Sequence, residues 1–348
     1  MIDPDKLAAW RQKFTNDKPH QTEGEAHRKA AGLGFRANGL RNFPFAGIPT
    51  LIGAPYRPDA AEAADFGGLD VALIGVPMDL AVTNRAGCRL GPRAIRNIER
   101  IGPFHHTHGI APLAELAAAD VGDVAFRSRF SLEQSHEDIE AYFTRVAAAG
   151  VRPLAAGGDH SISYPILRAI GRDRPVGLVH IDAHCDTSGV YEGSRFHHGG
   201  PFRQAVLDGV LDPARTIQIG IRGGGEYLWE FSFETGMTVI HAEEVDALGV
   251  AAVVARARDV IGDGPVYVSF DVDAIDPAFT PGTGTPEVGG LTPREAQRIL
   301  RGLAGLNVIG GDVVEVAPQY DATTVTAQVG AQMMFEIMAL LALAPKAA

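Results

Sequence analysis

Three apolar segments of this 348-residue chain are each followed within a few residues by aspartate side chains, and the first two also by histidine. The apolar segments have the continuous hydrophobic character of strands buried in a parallel sheet. In an open α/β sheet, ligands bind beyond the carboxyl ends of the strands. The sequence therefore predicts that the three polar groups meet at one edge of a sheet. They are GGDHS at residues 157–161, DAHCDT at 182–187 and DVDAIDP at 271–277.

Strand and helix signals alternate along most of the chain. Helix starts are indicated by capping boxes that begin at Ser131 and Thr292. The alternation predicts an α/β fold in which a mainly parallel sheet is covered by helices on both faces. Strands are expected at about residues 70–76, 152–156, 176–181, 215–221, 237–240, 265–270 and 307–314.

The first part of the chain differs in composition from the rest. Residues 1–42 are polar and predict an N-terminal arm with weak helical potential, whereas residues 43–348 predict one catalytic domain. At the start of that domain, Phe43, Phe45, Ile48 and Leu51 are expected to turn toward the core. We expect no further domain boundary.

Charge and cysteine content limit the partners and the compartment. The net charge of −11 argues against binding to nucleic acid or to an anionic membrane. The two cysteines imply no disulfide framework, which favours a reducing cytoplasm. No apolar run is expected to reach the length of about 18–20 residues that spans a bilayer.

The three strand-end groups supply four carboxylates and two imidazoles, which suits two divalent cations. Without cations, four converging carboxylates would repel one another. Oxygen ligands with two imidazoles favour Mn²⁺, with Ni²⁺ as the alternative. Two such cations and a hydroxide would leave one net negative charge, suited to a cationic substrate. The predicted ligands are His160, Asp182, His184, Asp186, Asp271 and Asp273.

Each of the three motifs, taken alone, has a simpler explanation than a metal site. Asp159 of GGDHS has the position of a helix N-cap, and DVDAIDP is similar to half of a calcium loop. The alternation of an extended chain predicts that Asp182, His184 and Asp186 face one cavity while Cys185 points away. The coincidence of all three groups favours a metal-dependent hydrolase.

The motifs over residues 69–343 resemble those of the ureohydrolase family, which includes arginases and agmatinases. The resemblance is carried by GGDHS, DAHCDT, HHGGPFR, SFDVDAIDPAFTPGTGTPEVGGLT and DVVEVAPQYD. It implies a three-layer α/β/α fold with a parallel sheet of eight strands. It also implies a two-metal enzyme that hydrolyses a guanidino group to urea and an amine, assembled as a trimer or hexamer.

The resemblance also assigns roles to residues outside the metal set. It implies that His198 delivers a proton to the departing amine and that Glu315 pairs with the substrate guanidinium. Asp186 is expected to steady the attacking nucleophile, and Asn84 is a candidate substrate-binding residue. His197 remains an alternative to His198, a core-edge ion pair is the alternative for Glu315, and a loop contact is the alternative for Asn84.

The substrate is left open by departures from the family pattern, which include Gly200, Cys185 within the ligand motif and an N-terminal arm longer than in many relatives. This chain has Gly200 where agmatinase-like members often have threonine, so we expect a wider site and a compact guanidino substrate. Candidates are agmatine, guanidinobutyrate and guanidinopropionate; the alternatives are free guanidine, N-alkylguanidines or a biguanide such as metformin. A non-catalytic subunit supporting an active paralogue and a single-zinc deacetylase are the competing functional classes.

Overall fold

The computed structural model describes residues 2–14, 24–35, 38–63, 65–99 and 101–345. Its strands form one sheet with the order β2-β1-β3-β8-β7-β4-β5-β6. All of the pairings are parallel. The strands are β1 (Val71–Gly75), β2 (Ala118–Asp123), β3 (Arg152–Ala156), β4 (Val176–Ile181), β5 (Leu211–Ile221), β6 (Thr238–His241), β7 (Val266–Asp271) and β8 (Val308–Val314).

Helices connect most of the strands. The predicted caps are present: the Ser131 side chain accepts from Gln134 N, and Thr292 and Glu295 form a reciprocal capping box. The helices are α1 (Pro4–Phe14), α2 (Glu25–Gly32), α3 (Pro58–Glu62), α4 (Gly91–Arg96), α5 (Pro112–Glu115), α6 (Leu132–Ala148), α7 (Ser163–Ile170), α8 (Pro201–Leu207), α9 (Glu226–Glu234), α10 (Ala242–Leu248), α11 (Val250–Ile261), α12 (Pro293–Gly302) and α13 (Val325–Leu343).

Each face of the sheet packs against its own layer of helices. On one face, Leu154 and Val268 pack in a core that includes residues of α11, α12 and α13. On the other face, Ala155 and Tyr267 pack with residues of α6, α7 and α8. Neighbouring residues of one strand therefore enter opposite cores, as the alternation of strand side chains requires. The predicted α/β/α fold with eight parallel strands is confirmed.

Helix α13 departs from the expectation that no apolar run is long enough to span a bilayer. Its 19 residues are long and apolar enough to cross a membrane by length and composition, yet 72% of the most apolar window is buried within the fold. The helix packs against β8 as a core helix. Such a helix needs no lipid, because the protein already covers it.

The N-terminal region departs from the prediction in one respect. Leu51 is buried as expected, but Phe43, Phe45 and Ile48 are exposed, with Phe45 and Ile48 at 74% and 70%. The segment after residue 42 therefore lies on the surface of the chain instead of entering its core. The division at residue 42 stays a prediction, and residues 1, 15–23 and 36–37 of the arm lie outside the described residues.

Helix α2 is attached to the body of the protein by specific contacts. The Lys29 ammonium lies 3.1 Å from the Glu115 carboxylate. The His27 ring stacks on Phe104 with a centroid distance of 4.0 Å. The part of the arm that the structure describes thus includes a helix that packs on the body of the protein.

Candidate active site

Four adjacent central strands end at the candidate active site. In the order β3, β8, β7 and β4, the residues at or just beyond their carboxyl ends are His160, Glu315, Asp271 and Asp182. Their side chains are all buried. The strand order therefore brings together groups that are far apart in sequence, as the position of the motifs predicted.

The first cluster surrounds the imidazole of His160. Its Nδ1 atom lies 3.0 Å from Asp182 Oδ2, 2.9 Å from Asp186 Oδ2 and 3.3 Å from Asp271 Oδ2. Within the described residues this nitrogen has no hydrogen-bond partner of acceptable geometry. Its opposite nitrogen, Nε2, lies 2.7 Å from Ser269 Oγ, which fixes the ring.

The second cluster surrounds His184. Its Nδ1 atom lies 3.5 Å from Asp182 Oδ1 and 3.2 Å from Asp273 Oδ2. Asp182 therefore belongs to both clusters, with one carboxylate oxygen facing each. A shared carboxylate of this kind is the arrangement expected for two neighbouring cations.

The residues present fit two divalent cations. His160 Nδ1 is buried without a hydrogen bond while three carboxylate oxygens converge on it, so the cluster lacks a positive partner. The pKa of Asp271 is held well above its ordinary value, first by burial and then by the neighbouring Asp273 and Asp182 carboxylates. Cations would remove this repulsion. The six predicted ligands occur within these two clusters or in contact with them.

The ligand loop after β4 differs from the extended chain that the sequence reasoning assumed. The strand ends at Ile181, and Asp186 has a positive φ of 51°. A non-glycine residue in this conformation is uncommon and often marks a functional site. Asp182 and Asp186 thus reach one cluster by way of a turn. Cys185 belongs to neither cluster, and its thiol contacts Ser232.

Glu315 lies directly after β8 and also has a positive φ, of 63°. Its Oε1 atom accepts a hydrogen bond from the His160 backbone N–H at 2.9 Å and lies 2.8 Å from His198 Nδ1. Its Oε2 atom is buried and, among the residues described, has no hydrogen-bond partner. The Cys88 thiol lies beside this carboxylate and stays neutral, because burial and then the charge of Glu315 raise its pKa.

His198 is held between Glu315 and the loop that follows β1. Its Nε2 atom lies 2.7 Å from Thr83 Oγ1, opposite the contact with Glu315. Burial acts to lower the pKa of His198, but the Glu315 carboxylate outweighs it and raises the pKa to about 9. The His197 ring is turned elsewhere, with Nε2 2.7 Å from Gly189 O. Of the two candidate histidines, His198 is the one that contacts Glu315.

Asn84 lies at the exposed rim of this pocket. Its amide donates to Gly284 O at 3.2 Å. Gly284 in turn lies next to Glu315, because a Cβ atom at position 284 would be 3.4 Å from Glu315 Oε2. Asn84 is therefore close to the pocket, but its described contact stabilises the rim, and a role in substrate binding stays a proposal.

The structure contradicts the expectation that Gly200 widens the substrate site. A Cβ atom at this position would lie 3.1 Å from His197 Nε2 and 3.1 Å from Ser188 O. The space beside Gly200 is thus taken by the histidine and the carbonyl of its own loop. The absence of a side chain allows the loop to close on itself and does not enlarge the pocket.

Sequence reasoning missed one histidine of the site. His180 on β4 is fully buried and its Nε2 lies 2.7 Å from Asp182 Oδ2. The signal was available, because residues two apart at the end of a strand point to the same face, which places His180 beside Asp182. The histidines at 105, 106 and 108 are not part of the site. His105 is instead buried against Glu336, 2.7 Å from its carboxylate.

Comparisons with known proteins agree with this fold and site. The family model described as Arginase family matches residues 69–340. A guanidinopropionase of Pseudomonas aeruginosa is 51% identical over 302 residues, covering 86% of this chain and 93% of that protein. A mitochondrial agmatinase of Gallus gallus is 45% identical over 299 residues, covering 85% and 86%.

A solved structure is also similar over nearly its full length. Proclavaminate amidino hydrolase from Streptomyces clavuligerus superimposes with a TM-score of 0.80 at 35% sequence identity. The match covers 86% of this chain and 99% of that one. Taken together with the family match over residues 69–340, these likenesses establish that the chain belongs to the arginase family.

Proposed function

We propose that this protein is a metal-dependent amidinohydrolase that converts a short ω-guanidino acid and water into urea and an amine. Membership of the arginase family supports the reaction class. The substrate class is favoured by the guanidinopropionase at 51% identity and by a guanidinobutyrase of Pseudomonas aeruginosa at 43% identity. Agmatine is the second candidate because an agmatinase is 45% identical.

The observation that carries this proposal is the free oxygen of Glu315. A buried carboxylate oxygen without a partner is costly, and a ligand that donates a hydrogen bond removes the cost. A guanidinium offers N–H donors and a positive charge, and a charge-assisted hydrogen bond to a carboxylate oxygen is stronger than a neutral one. Oε2 is therefore the acceptor to which we assign the substrate guanidinium, while Oε1 holds the His160 backbone and His198.

The position of His198 suits proton transfer to the departing amine. It contacts the carboxylate to which we assign the guanidinium, which would place its ring near the bond to be broken. Burial lowers the pKa of His198, but the Glu315 carboxylate raises it to about 9 and favours a proton on Nδ1, while Nε2 accepts a hydrogen bond from the Thr83 backbone N–H at 3.1 Å. The Asp186 carboxylate, 2.9 Å from His160 Nδ1, can accept a hydrogen bond from the attacking water. A general acid in the position of His198 contributes about 10²–10⁴-fold to the reaction rate.

The metal ligands of this proposal are His160, Asp182, His184, Asp186, Asp271 and Asp273. When bound, two divalent cations supply Lewis acidity, which makes a water nucleophilic near neutral pH. The oxygen-rich donor set with imidazoles favours Mn²⁺, and Ni²⁺ is the alternative. We assign Asp182 the shared position because its two oxygens face the two clusters.

Urea release from a substrate panel tests this function. The purified chain, loaded separately with Mn²⁺ and with Ni²⁺, is assayed on guanidinopropionate, guanidinobutyrate, agmatine, arginine, guanidine and metformin. The highest kcat/KM is expected for one of the two guanidino acids, with arginine poor. A clear preference for agmatine, free guanidine or metformin would reject the substrate class. No urea from any compound, despite bound metal, would favour a non-catalytic subunit.

We also propose that the protein is a cytoplasmic homo-oligomer, a trimer or hexamer, with a hetero-oligomer as the alternative. Both cysteines are free and buried, which suits a reducing compartment. Helix α1 has no buried residue, and Trp10 and Phe14 on it are 50% and 72% exposed. Light scattering of the full chain and of a chain lacking residues 1–42 tests this, and a monomeric full chain would reject it.

A further inference from the structure

A buried chain of hydrogen bonds runs from β5 to the carboxylate that belongs to both metal clusters. Gln218 on β5 and His180 on β4 are both fully buried. Gln218 Nε2 lies 3.0 Å from His180 Nδ1, and His180 Nε2 lies 2.7 Å from Asp182 Oδ2. The two strands are paired at these positions, since His180 and Gln218 are register partners.

The backbone of the ligand loop fixes the orientation of the Gln218 amide. Gln218 Nε2 also lies 2.6 Å from the Cys185 carbonyl oxygen. A carbonyl oxygen only accepts hydrogen bonds, so the atom facing it must be the amide nitrogen. The same nitrogen then donates its second hydrogen to His180 Nδ1.

This orientation fixes the tautomer of His180. Because Nδ1 accepts a hydrogen bond, the proton of the neutral imidazole is on Nε2. Nε2–H therefore donates to Asp182 Oδ2. A protonated nitrogen has no lone pair for a metal ion, so this state of the ring cannot ligate one, although His180 lies among the groups close enough to do so.

We propose that His180 is a positioning residue for the shared metal ligand Asp182, and that Gln218 holds it in the donor tautomer. This inference rests on the two-metal site of the proposed function. Asp182 Oδ2 faces His160 and Oδ1 faces His184, so rotation of this one carboxylate disturbs both clusters. The hydrogen bond from His180 to Oδ2 opposes that rotation, together with the His184 backbone N–H, which donates to Oδ1 at 2.7 Å. Partners of metal ligands typically contribute about 10–100-fold to metal affinity.

The test measures metal binding in the absence of substrate. Mn²⁺ is titrated into apo-protein while free Mn²⁺ is followed by electron paramagnetic resonance. His180→Phe retains the ring but removes the donor, and Gln218→Met removes the amide. His136→Phe is the matched control, since His136 is another buried histidine whose Nε2 contacts Ser161 Oγ and none of the ligands.

His180→Phe is expected to retain two Mn²⁺ per chain with about 10–100-fold weaker affinity. Gln218→Met should weaken both sites in the same direction, and His136→Phe should leave affinity within about twofold. His180→Gln, which restores an N–H donor, should recover part of the loss. Co²⁺ absorption should show an unchanged ligand number in His180→Phe.

Two outcomes would overturn the proposal. A fall to one ion per chain in His180→Phe would identify His180 as a ligand, and unchanged affinity would leave it no role at Asp182. If His180→Phe does not fold, Gln218→Met decides alone, and wild-type affinity in that variant rejects the tautomer argument. Failure of the substrate proposal would leave these results intact, because none depends on urea release.

Discussion

His198 Nδ1 and Glu315 Oε1 are joined at 2.8 Å in a buried contact that leaves the second oxygen of the same carboxylate without a partner among the described residues. The two oxygens of the Glu315 carboxylate thus have different roles. Oε1 orders the protein, through the histidine and the His160 backbone, and Oε2 faces the position that we assign to substrate. The two oxygens can therefore be tested separately from the metal ligands.

Glu315→Gln should retain both metal ions and lose at least about 10²-fold in kcat/KM, which corresponds to ~3 kcal/mol for a lost charge pair. The amide keeps one oxygen for the His160 N–H, so the site should stay folded. Elemental analysis and urea release measure the two effects. A variant that lost metal would show that Glu315 supports the ligands and not the substrate.

His198→Ala should also retain its metal and should slow turnover by about 10²–10⁴-fold. The reason is the loss of the proton donor beside Glu315. His106→Ala is the control, since His106 is exposed and is not part of the site. Single-turnover urea release is the measurement, and turnover within about threefold of the unaltered enzyme would assign the proton delivery to another group.

Asp182→Asn should lose both metal ions and the activity, because this carboxylate faces both clusters. Asp271→Asn is expected to do the same through the His160 cluster. Asp263→Asn makes the same chemical change at an exposed turn and should bind metal normally. Elemental analysis after dialysis gives the stoichiometry. One tightly bound ion in an active wild-type enzyme would contradict the two-metal arrangement.

Stability at low pH should depend on Glu336, far from the metals. Burial acts to raise its pKa, but hydrogen bonds from His105 and Arg301 outweigh burial and hold the pKa below its ordinary value. A depressed folded pKa stabilises the protein above the unfolded pKa of about 4.3, and the gain is lost as the pH falls through the folded pKa.

Glu336→Gln should accordingly lower the free energy of unfolding by about 1–3 kcal/mol at pH 7. The difference from wild type should shrink below about pH 4, where Glu336 becomes protonated and neutral as well. Denaturant unfolding of both metal-free proteins at several pH values measures this. A difference that stayed constant between pH 7 and pH 3 would exclude the ionised carboxylate as its source.

Gly200→Ala should lower thermal stability and weaken activity without changing the order of substrate preference. The added Cβ atom would press on His197 and the Ser188 carbonyl, each 3.1 Å away, and not on the substrate space. Gly199→Ala is a milder control, because its nearest neighbour would be 3.4 Å away. A reversed preference between guanidinopropionate and free guanidine would restore the view that Gly200 shapes the pocket.

The sequence was sufficient to predict most of the sheet because β3, β4, β7 and β8 are nearly continuous apolar runs. Strand β2 was not predicted. Its sequence, AADVGD, contains Ala, Gly and Asp, which are poor strand formers. It forms at the edge of the sheet by pairing with β1, so tertiary pairing and not local preference decides its structure.

The site shows the same limit at the level of single residues. The ligand types and their strand-end positions could be read from three short motifs. The hydrogen-bond chain that ends at Asp182 could not be predicted from the motifs. Gln218 belongs to β5 and is placed beside His180 only by the register of the two strands. Likewise, the neighbours of Gly200 depend on how its loop folds back, which a motif comparison does not reveal.

The central position of β8 in the sheet determines at what stage of synthesis the ligands of the candidate active site can come together. This strand is near the end of the chain, yet it separates the β2-β1-β3 sheet segment from the β7-β4-β5-β6 segment. His160 belongs to the first segment and the carboxylates belong to the second. During synthesis the two halves of the ligand set have no strand between them until β8 has left the ribosome. The His160 cluster is thus completed only when β8 has joined the two sheet segments, whereas all members of the His184 cluster follow the directly paired strands β4 and β7.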